Sequence, residues 1–132
     1  MKKHETKLRV RYGETDQMGV VYHGNYAQYL EVARVEWLRS IDISYKKMEA
    51  DGVMLPVVNL NINFKKPAFY DEVIIIKTKL RKKPGLKITI DQEIYNNEDV
   101  LLTISEITLV FVSMQTKRPI LCPDELLKKL GF

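Results

Sequence analysis

The sequence predicts an α+β fold: an antiparallel sheet of five strands curled around one long central helix. Three observations lead there. A segment near residues 25–41 carries apolar side chains at helical spacing. After Gly52 the apolar period changes from helical to two. Short turn-forming clusters separate the alternating runs, and strands joined that way are antiparallel. A helix and a sheet must each bury an apolar face, so the helix packs on the sheet. No second long helix splits the strands, which disfavours a ferredoxin-like sandwich.

Each element has its own reason. Residues 7–12 (K-L-R-V-R-Y) alternate basic with apolar and read as a first strand. Residues 13–24 form a loop with three glycines. In the helix at 25–41, Tyr26, Leu30, Ala33, Trp37 and Ile41 make one apolar stripe. Val32, Val35 and Leu38 fall outside it, so this helix is expected to be covered on more than one side. Ser44 can cap a short second helix over Tyr45–Ala50, which ends at Asp51-Gly52. Residues 59–64 alternate, with Leu60, Ile62 and Phe64 on one face. A β-branched strand follows over 72–82. Lys83-Pro84-Gly85 is a turn with Gly85 available for positive φ. Residues 87–95 put Ile88, Ile90 and Ile94 on one face, 96–99 turn again, and 100–113 form a long strand. Pro123, Asp124 and Glu125 open a last helix that closes on Lys128 and Lys129, matching the helix dipole.

Composition sets outer limits. The chain has 132 residues, 45% hydrophobic and 29% charged, which suits one globular domain spanning 1–132. The densest apolar run, Val73-Ile74-Ile75-Ile76, is strand-sized, so no membrane helix is expected. The charged start, Met1-Lys2-Lys3-His4-Glu5, does not suit a secretory signal. Lys and Arg number 21 against 17 Asp and Glu, a net charge of +4. That suits a phosphate-bearing ligand and is too weak to imply nucleic acid. The single cysteine, Cys122, fits a reducing, cytoplasmic setting. Two histidines and one cysteine cannot make a Cys/His zinc site, and no spacing suggests another metal.

The informative stretch runs from Arg11 to Arg34, R-Y-G-E-T-D-Q-M-G-V-V-Y-H-G-N-Y-A-Q-Y-L-E-V-A-R. It is a polar loop feeding the N-terminus of a buried helix. Such a terminus presents unpaired N–H groups and partial positive charge, which can stabilise an oxyanion. Glu14, Thr15, Asp16, His23 and Asn25 cluster there. A carboxylate beside an oxyanion site is the minimal apparatus for hydrolysing an activated acyl group.

The residues Thr15-Asp16-Gln17-Met18-Gly19-Val20-Val21-Tyr22-His23-Gly24-Asn25-Tyr26, followed by Glu31 and Ala33-Arg34, resemble the signature of the 4-hydroxybenzoyl-CoA thioesterase family. The Val21-Tyr22-His23 form is most similar to its YbgC-type branch. The resemblance implies the hotdog fold, a five-stranded antiparallel sheet wrapped around a long helix. It implies homodimers or homotetramers, acyl-CoA as substrate, and thioester hydrolysis without metal or cofactor. Asp16 matches the family's catalytic carboxylate. His23 matches a position beside the thioester carbonyl, with Tyr22, Gly24 and Asn25 around the substrate. Glu31 matches an acidic position that touches the acyl group in one branch.

Every one of these residues also has a plainer role open to it. Asp16 can close an Asx-turn. His23 can cap a helix or sit buried, Asn25 can be an ordinary N-cap, and Tyr22 can be packing. Glu31 can be a solvated helix residue paired with Arg34. Lys65-Lys66 and Arg81-Lys82-Lys83 can hold CoA phosphates or keep sheet edges soluble. Acyl carrier protein, an acidic partner, would suit that basic patch as well. A non-hydrolytic acyl-CoA binder of the same fold is a third reading. Cys122 lies far from the signature and is not expected to be a nucleophile.

Overall fold

The computed structural model describes residues 3–132. In chain order the elements are β1 (His4–Arg9), 3-10 turns at Tyr12–Glu14 and His23–Asn25, α1 (Tyr26–Ser40) and α2 (Tyr45–Ala50). Then come β2 (Val53–Met54), β3 (Val57–Phe64), β4 (Val73–Leu80), β5 (Lys87–Asn96), β6 (Leu101–Val110), β7 (Val112–Ser113) and α3 (Asp124–Lys129). Five strands form one antiparallel sheet in the order β1-β4-β5-β6-β3, and β2 pairs separately with β7. No helix among the described residues is long and apolar enough to cross a membrane.

The strand order corrects the simple hairpin expectation at one place. β3 pairs with β6, not with β4, so residues 65–72 carry the chain from one sheet edge back toward the other. This crossover runs past the motif loop. Val20 bridges Phe69, and the Val21 N–H donates to the Ala68 carbonyl at 2.9 Å.

The period-two reading holds in the middle of the sheet. Ile74, Ile76, Thr78 and Leu80 of β4 and Ile88, Ile90, Gln92 and Ile94 of β5 are buried on the helix side. Each buried isoleucine contributes roughly 1.5–3 kcal/mol relative to exposure. Gln92 is the polar member of its row. Its Nε2 donates to the Leu30 carbonyl at 2.9 Å and to Thr78 Oγ1 at 3.1 Å. Burying that amide is tolerable because it is hydrogen-bonded, and the bond pins α1 at one height over the sheet.

Several sequence expectations need correction. β1 begins at His4 and ends at Arg9, because β4 offers partners from Thr78 to Val73 and the chain then turns at Tyr12–Glu14. The helix is shorter than the expected 25–41, since its first residues wind as a 3-10 turn and Ile41 is its C-cap. Ile41, expected on the buried stripe, is only partly buried, whereas Leu38, off that stripe, is buried with Trp37 and Ile43, in keeping with a helix covered on more than one side. β3 exposes Leu60 and Phe64, because it is the edge strand beyond the width of α1. Gly85 does not take positive φ; Gly19, Gly52 and Gly131 do. The long last strand breaks at Phe111 into β6 and β7.

One core cluster prepares the site. Val21 from the motif loop, Tyr26, Tyr29, Leu30 and Ala33 from α1, and Ala68 from the crossover pack against Ile74, Ile76 and Ile94. The loop is thereby seated against both the helix start and the crossover.

Candidate active site

Local bonding shapes the motif loop. Asp16 accepts from the Met18 N–H on its Oδ1 at 2.8 Å, an Asx-turn. Its own N–H donates to Val20 O at 2.8 Å, and the Gly19 N–H donates to Asp16 O at 3.0 Å. Gly19 sits at φ 78°, where a side chain is disfavoured, so the reversal between Asp16 and Val20 requires glycine. Thr15 then bridges Val21. The plain Asx-turn role of Asp16 is therefore real. It engages one carboxylate oxygen and leaves the side chain exposed.

Tyr22–Asn25 makes the entry to α1. The Asn25 N–H donates to Tyr22 O at 2.9 Å, closing the 3-10 turn. The N–H groups of His23 and Gly24 make no hydrogen bond among the described residues. Asn25 does not cap α1 with its side chain. Its Nδ2 donates instead to the Glu14 carbonyl at 2.8 Å, which also accepts the Tyr22 N–H at 2.9 Å.

A cleft of about 340 Å³ opens in front of this turn, lined by Asp16, Val20, Val21, His23, Tyr26, Phe64, Lys65, Lys66 and Pro67. Asp16 and His23, seven positions apart in the sequence, thus share one cavity. The Tyr26 and Phe64 rings meet edge to face, 5.2 Å between centroids, and form an aromatic wall. The Tyr26 hydroxyl accepts the Ala68 N–H at 3.4 Å, and burial raises the pKa of its phenol. The hydroxyl is therefore neutral around pH 7.

Other expected residues lie off the cleft wall. The Tyr22 ring rests on the His23 ring, 4.4 Å between centroids, and is half exposed. Gly24 lies beneath Tyr22; a Cβ there would come 2.6 Å from the Tyr22 ring. The Asn25 amide is spent on Glu14. Glu31 lines a different and larger cleft of about 530 Å³ with Arg34, Val35 and Tyr45. It makes no ion pair with Arg34; the Arg34 Nε donates to the Tyr45 hydroxyl at 2.8 Å. That larger cleft holds neither Asp16 nor His23, and the chemistry-bearing loop opens into the smaller one.

The two basic clusters separate. Lys65 and Lys66 are exposed on the cleft. Arg81 is bound to Asp91 and Glu106 on the outer face of the sheet, and those carboxylates hold its charge firmly in place. Lys82 and Lys83 follow it, exposed. Arg81 donates its N–H to Thr89, level with Thr108 and Asn59, whereas Lys65 follows Phe64. The main chain at the two clusters is therefore offset by six residues along the strands, about 20 Å at ~3.4 Å per residue.

Comparisons with known proteins place the chain in a family. A family model described as the thioesterase-like superfamily matches residues 10–130. The chain belongs to the thioesterase-like superfamily. This thioesterase-like chain is 37% identical over 114 residues to a putative acyl-CoA thioesterase, YneP, of Bacillus subtilis, covering 86% of this chain and 83% of that one. It is 32% identical over 119 residues to the acyl-CoA thioester hydrolase YbgC of Escherichia coli, covering 90% and 89%. A solved DHNA-CoA thioesterase from Staphylococcus aureus superposes with a TM-score of 0.87 at 40% identity, covering 92% of this chain and 81% of that one.

Tyr26, Phe64 and Pro67 as cleft walls, and Tyr29 as the partner of Glu14, are not legible in the sequence of this superfamily member. Tyr26, expected on the core stripe, is both buried and cleft-lining. Phe64 and Pro67 reach the site only through the strand order, which no local pattern encodes. The Tyr29–Glu14 bond at 2.9 Å joins residues fifteen apart, with no periodic signal to reveal it.

Proposed function

We propose that this chain hydrolyses the thioester of an acyl-CoA to the free acid and CoA, with Asp16 as the reacting carboxylate. The observation that carries this is the shared cleft: an exposed carboxylate faces a turn whose His23 and Gly24 N–H groups are unspent. Those N–H groups, at the positive end of α1, would polarise the thioester carbonyl and hold the oxyanion as it forms. Asp16 then acts in one of two ways. As nucleophile it attacks the carbonyl carbon, the C–S bond breaks, CoA leaves as thiolate, and water hydrolyses the resulting anhydride. As general base it takes a proton from water, whose oxygen attacks the same carbon; the C–S bond then breaks, leaving the free acid and CoA thiolate. His23, on the cleft wall, would orient the carbonyl or protonate the departing sulfur. Gly24 contributes its N–H, Tyr22 supports His23, and Lys65 with Lys66 receives the phosphates of CoA.

The acyl group packs on Tyr26, Phe64 and Pro67. That wall suits a flat aromatic acyl group, as does the likeness to the staphylococcal DHNA-CoA thioesterase. Delivery by acyl carrier protein is the second reading, supported by the same exposed lysines. The chain is read as one hotdog domain over 1–132, with the sheet wrapped on α1, acting in the cytoplasm as a homodimer or homotetramer. The exposed Val57, Val58, Leu60 and Phe64 of edge strand β3 support assembly.

A hydrolysis screen tests the reading. Aromatic and short, medium and long aliphatic acyl-CoAs, and the same acyl groups on carrier protein, are compared by release of free thiol. Turnover of at least one acyl-CoA that is lost in Asp16→Asn is expected. No thiol release from any thioester overturns the proposal. Light scattering that shows only a monomer of about 15 kDa overturns the assembly.

A further inference from the structure

Both halves of the cleft chemistry hang from one residue outside it. The Glu14 side chain is 13% exposed. Its Oε1 accepts the Arg11 N–H at 2.8 Å and the Tyr29 hydroxyl at 2.9 Å. Its Oε2 accepts Arg11 Nε at 3.1 Å and Nη2 at 2.9 Å. This is a carboxylate with both oxygens occupied: Oε2 by Arg11, which opens the 3-10 turn that Glu14 ends, and Oε1 by Arg11 together with Tyr29 of α1. Two N–H groups of the Arg11 guanidinium converge on the one oxygen Oε2, and such charge-assisted hydrogen bonds are stronger than neutral ones. The other end of the residue is equally committed. Glu14 O holds the Tyr22 N–H and the Asn25 Nδ2, and so holds the His23–Asn25 turn from its back. Asp16 follows two positions later on the same strand of loop, tied by the Thr15–Val21 bridge.

We propose that Glu14 is a positioning residue for turnover: its clamped side chain fixes the carbonyl that carries the His23–Asn25 turn, and so sets the separation between that turn's N–H groups and the Asp16 carboxylate. The proposal rests on the thioesterase reading above. Glu14 touches no reacting atom and is absent from the cleft wall. It acts through its main chain. Tyr29 is the second member of the clamp, because it transmits the position of α1 to Glu14. Small displacements matter here, since a shift of about 1 Å in a reacting geometry can cost ~10²-fold in rate.

The test uses the full chain and the acyl-CoA turned over best in the screen. Glu14→Gln keeps one accepting oxygen and no charge, so it cannot serve both the Arg11 guanidinium at Oε2 and the Arg11 N–H with the Tyr29 hydroxyl at Oε1; Tyr29→Phe removes a single bond and disturbs folding least. Four quantities are measured on each: kcat, KM, Tm, and amide hydrogen exchange of Tyr22 and Asn25 against that of Ile90 and Ile107. The expected result is a kcat lowered at least ~10-fold in Glu14→Gln with KM within about threefold, because an interaction that matters only in the transition state lowers kcat and leaves KM. Exchange at Tyr22 and Asn25 should quicken about tenfold while the sheet amides hold, since local opening is separable from global unfolding. In an Asp16→Asn background, Glu14→Gln should add little further loss of kcat, as expected for residues acting as one unit. Parental kcat with a lowered Tm would make Glu14 purely structural and overturn the proposal, as would unchanged exchange at Tyr22. If Glu14→Gln does not fold, Tyr29→Phe decides by the same criteria. A parent chain that hydrolyses no thioester overturns the underlying reading instead, and is recognised before any variant is made.

Discussion

The Asn25 side-chain amide donates to the main-chain carbonyl of Glu14 at 2.8 Å, tying the start of α1 to a residue eleven positions earlier. That bond folds the motif back on itself. It turns a loop of polar residues into a rigid frame for Asp16 and His23.

Asn25→Ala should therefore loosen the frame rather than the helix cap. About 0.5–1.5 kcal/mol of stability should be lost, the usual net contribution of one hydrogen bond, since the Glu14 carbonyl keeps the Tyr22 N–H. Asn25→Asp should be worse, because a carboxylate would face the Glu14 carbonyl with nothing to donate. Thermal unfolding of the two variants gives the order directly; equal Tm values for Asp and Ala would contradict it.

A pH dependence follows from Glu14. Burial pushes its carboxyl up, but hydrogen bonds from the Arg11 backbone, the Arg11 guanidinium and the Tyr29 hydroxyl outweigh burial and hold it below its ordinary value of 4.5. A carboxylate with a lowered folded value binds protons more readily when unfolded. Its stabilisation is fully present above 4.5 and is lost as pH falls through the lowered folded value. The Tm of the parent should fall across that acid range, and Glu14→Gln should remove part of the slope. A Tm–pH slope identical in both proteins would count against this account of the clamp.

The basic clusters should behave differently when reversed. Lys65→Glu with Lys66→Glu should raise KM for acyl-CoA with little change in kcat, since remote contacts serve ground and transition states alike. Added salt should shrink the effect, because exposed charges are screened beyond ~8 Å in physiological buffer. Arg81→Glu breaks the pairs with Asp91 and Glu106 and should lower Tm more than it alters KM. A KM penalty for Arg81→Glu as large as that for the lysine pair would move the phosphates to the far end of the sheet.

Much of this was readable in the sequence. Ile88, Ile90 and Ile94 lie on one buried face as their alternation demands, and Ser44 caps α2 by accepting the Lys47 N–H. Asp16 and His23 could be singled out because the motif is contiguous. What escaped was non-local. The pairing of β3 with β6 decides that Phe64 and Pro67 reach the cleft, and it leaves Leu60 exposed at an edge where alternation alone predicts burial. Leu38 lies off the main helical stripe and is buried all the same, beside Ile43 after the helix end, as a helix covered on more than one side requires. Asn25 looked like an N-cap because its type and place are those of one, and the Glu14 carbonyl competed for its amide and won.

The account's central claim is that the Asp16 carboxylate does the chemistry, and kcat of Asp16→Asn tests it most directly. The substitution preserves size and leaves an oxygen to accept the Met18 N–H, so the Asx-turn survives and Tm should change by little. The charge and the base are gone. With the acyl-CoA turned over best by the parent, kcat should fall by roughly 10²–10⁴, the range for a positioned acid–base group, which is ~3–5.5 kcal/mol of transition-state stabilisation. KM should hold, because the aromatic wall and the lysines are untouched. Turnover within about threefold of the parent, on protein shown to be folded, would contradict the claim.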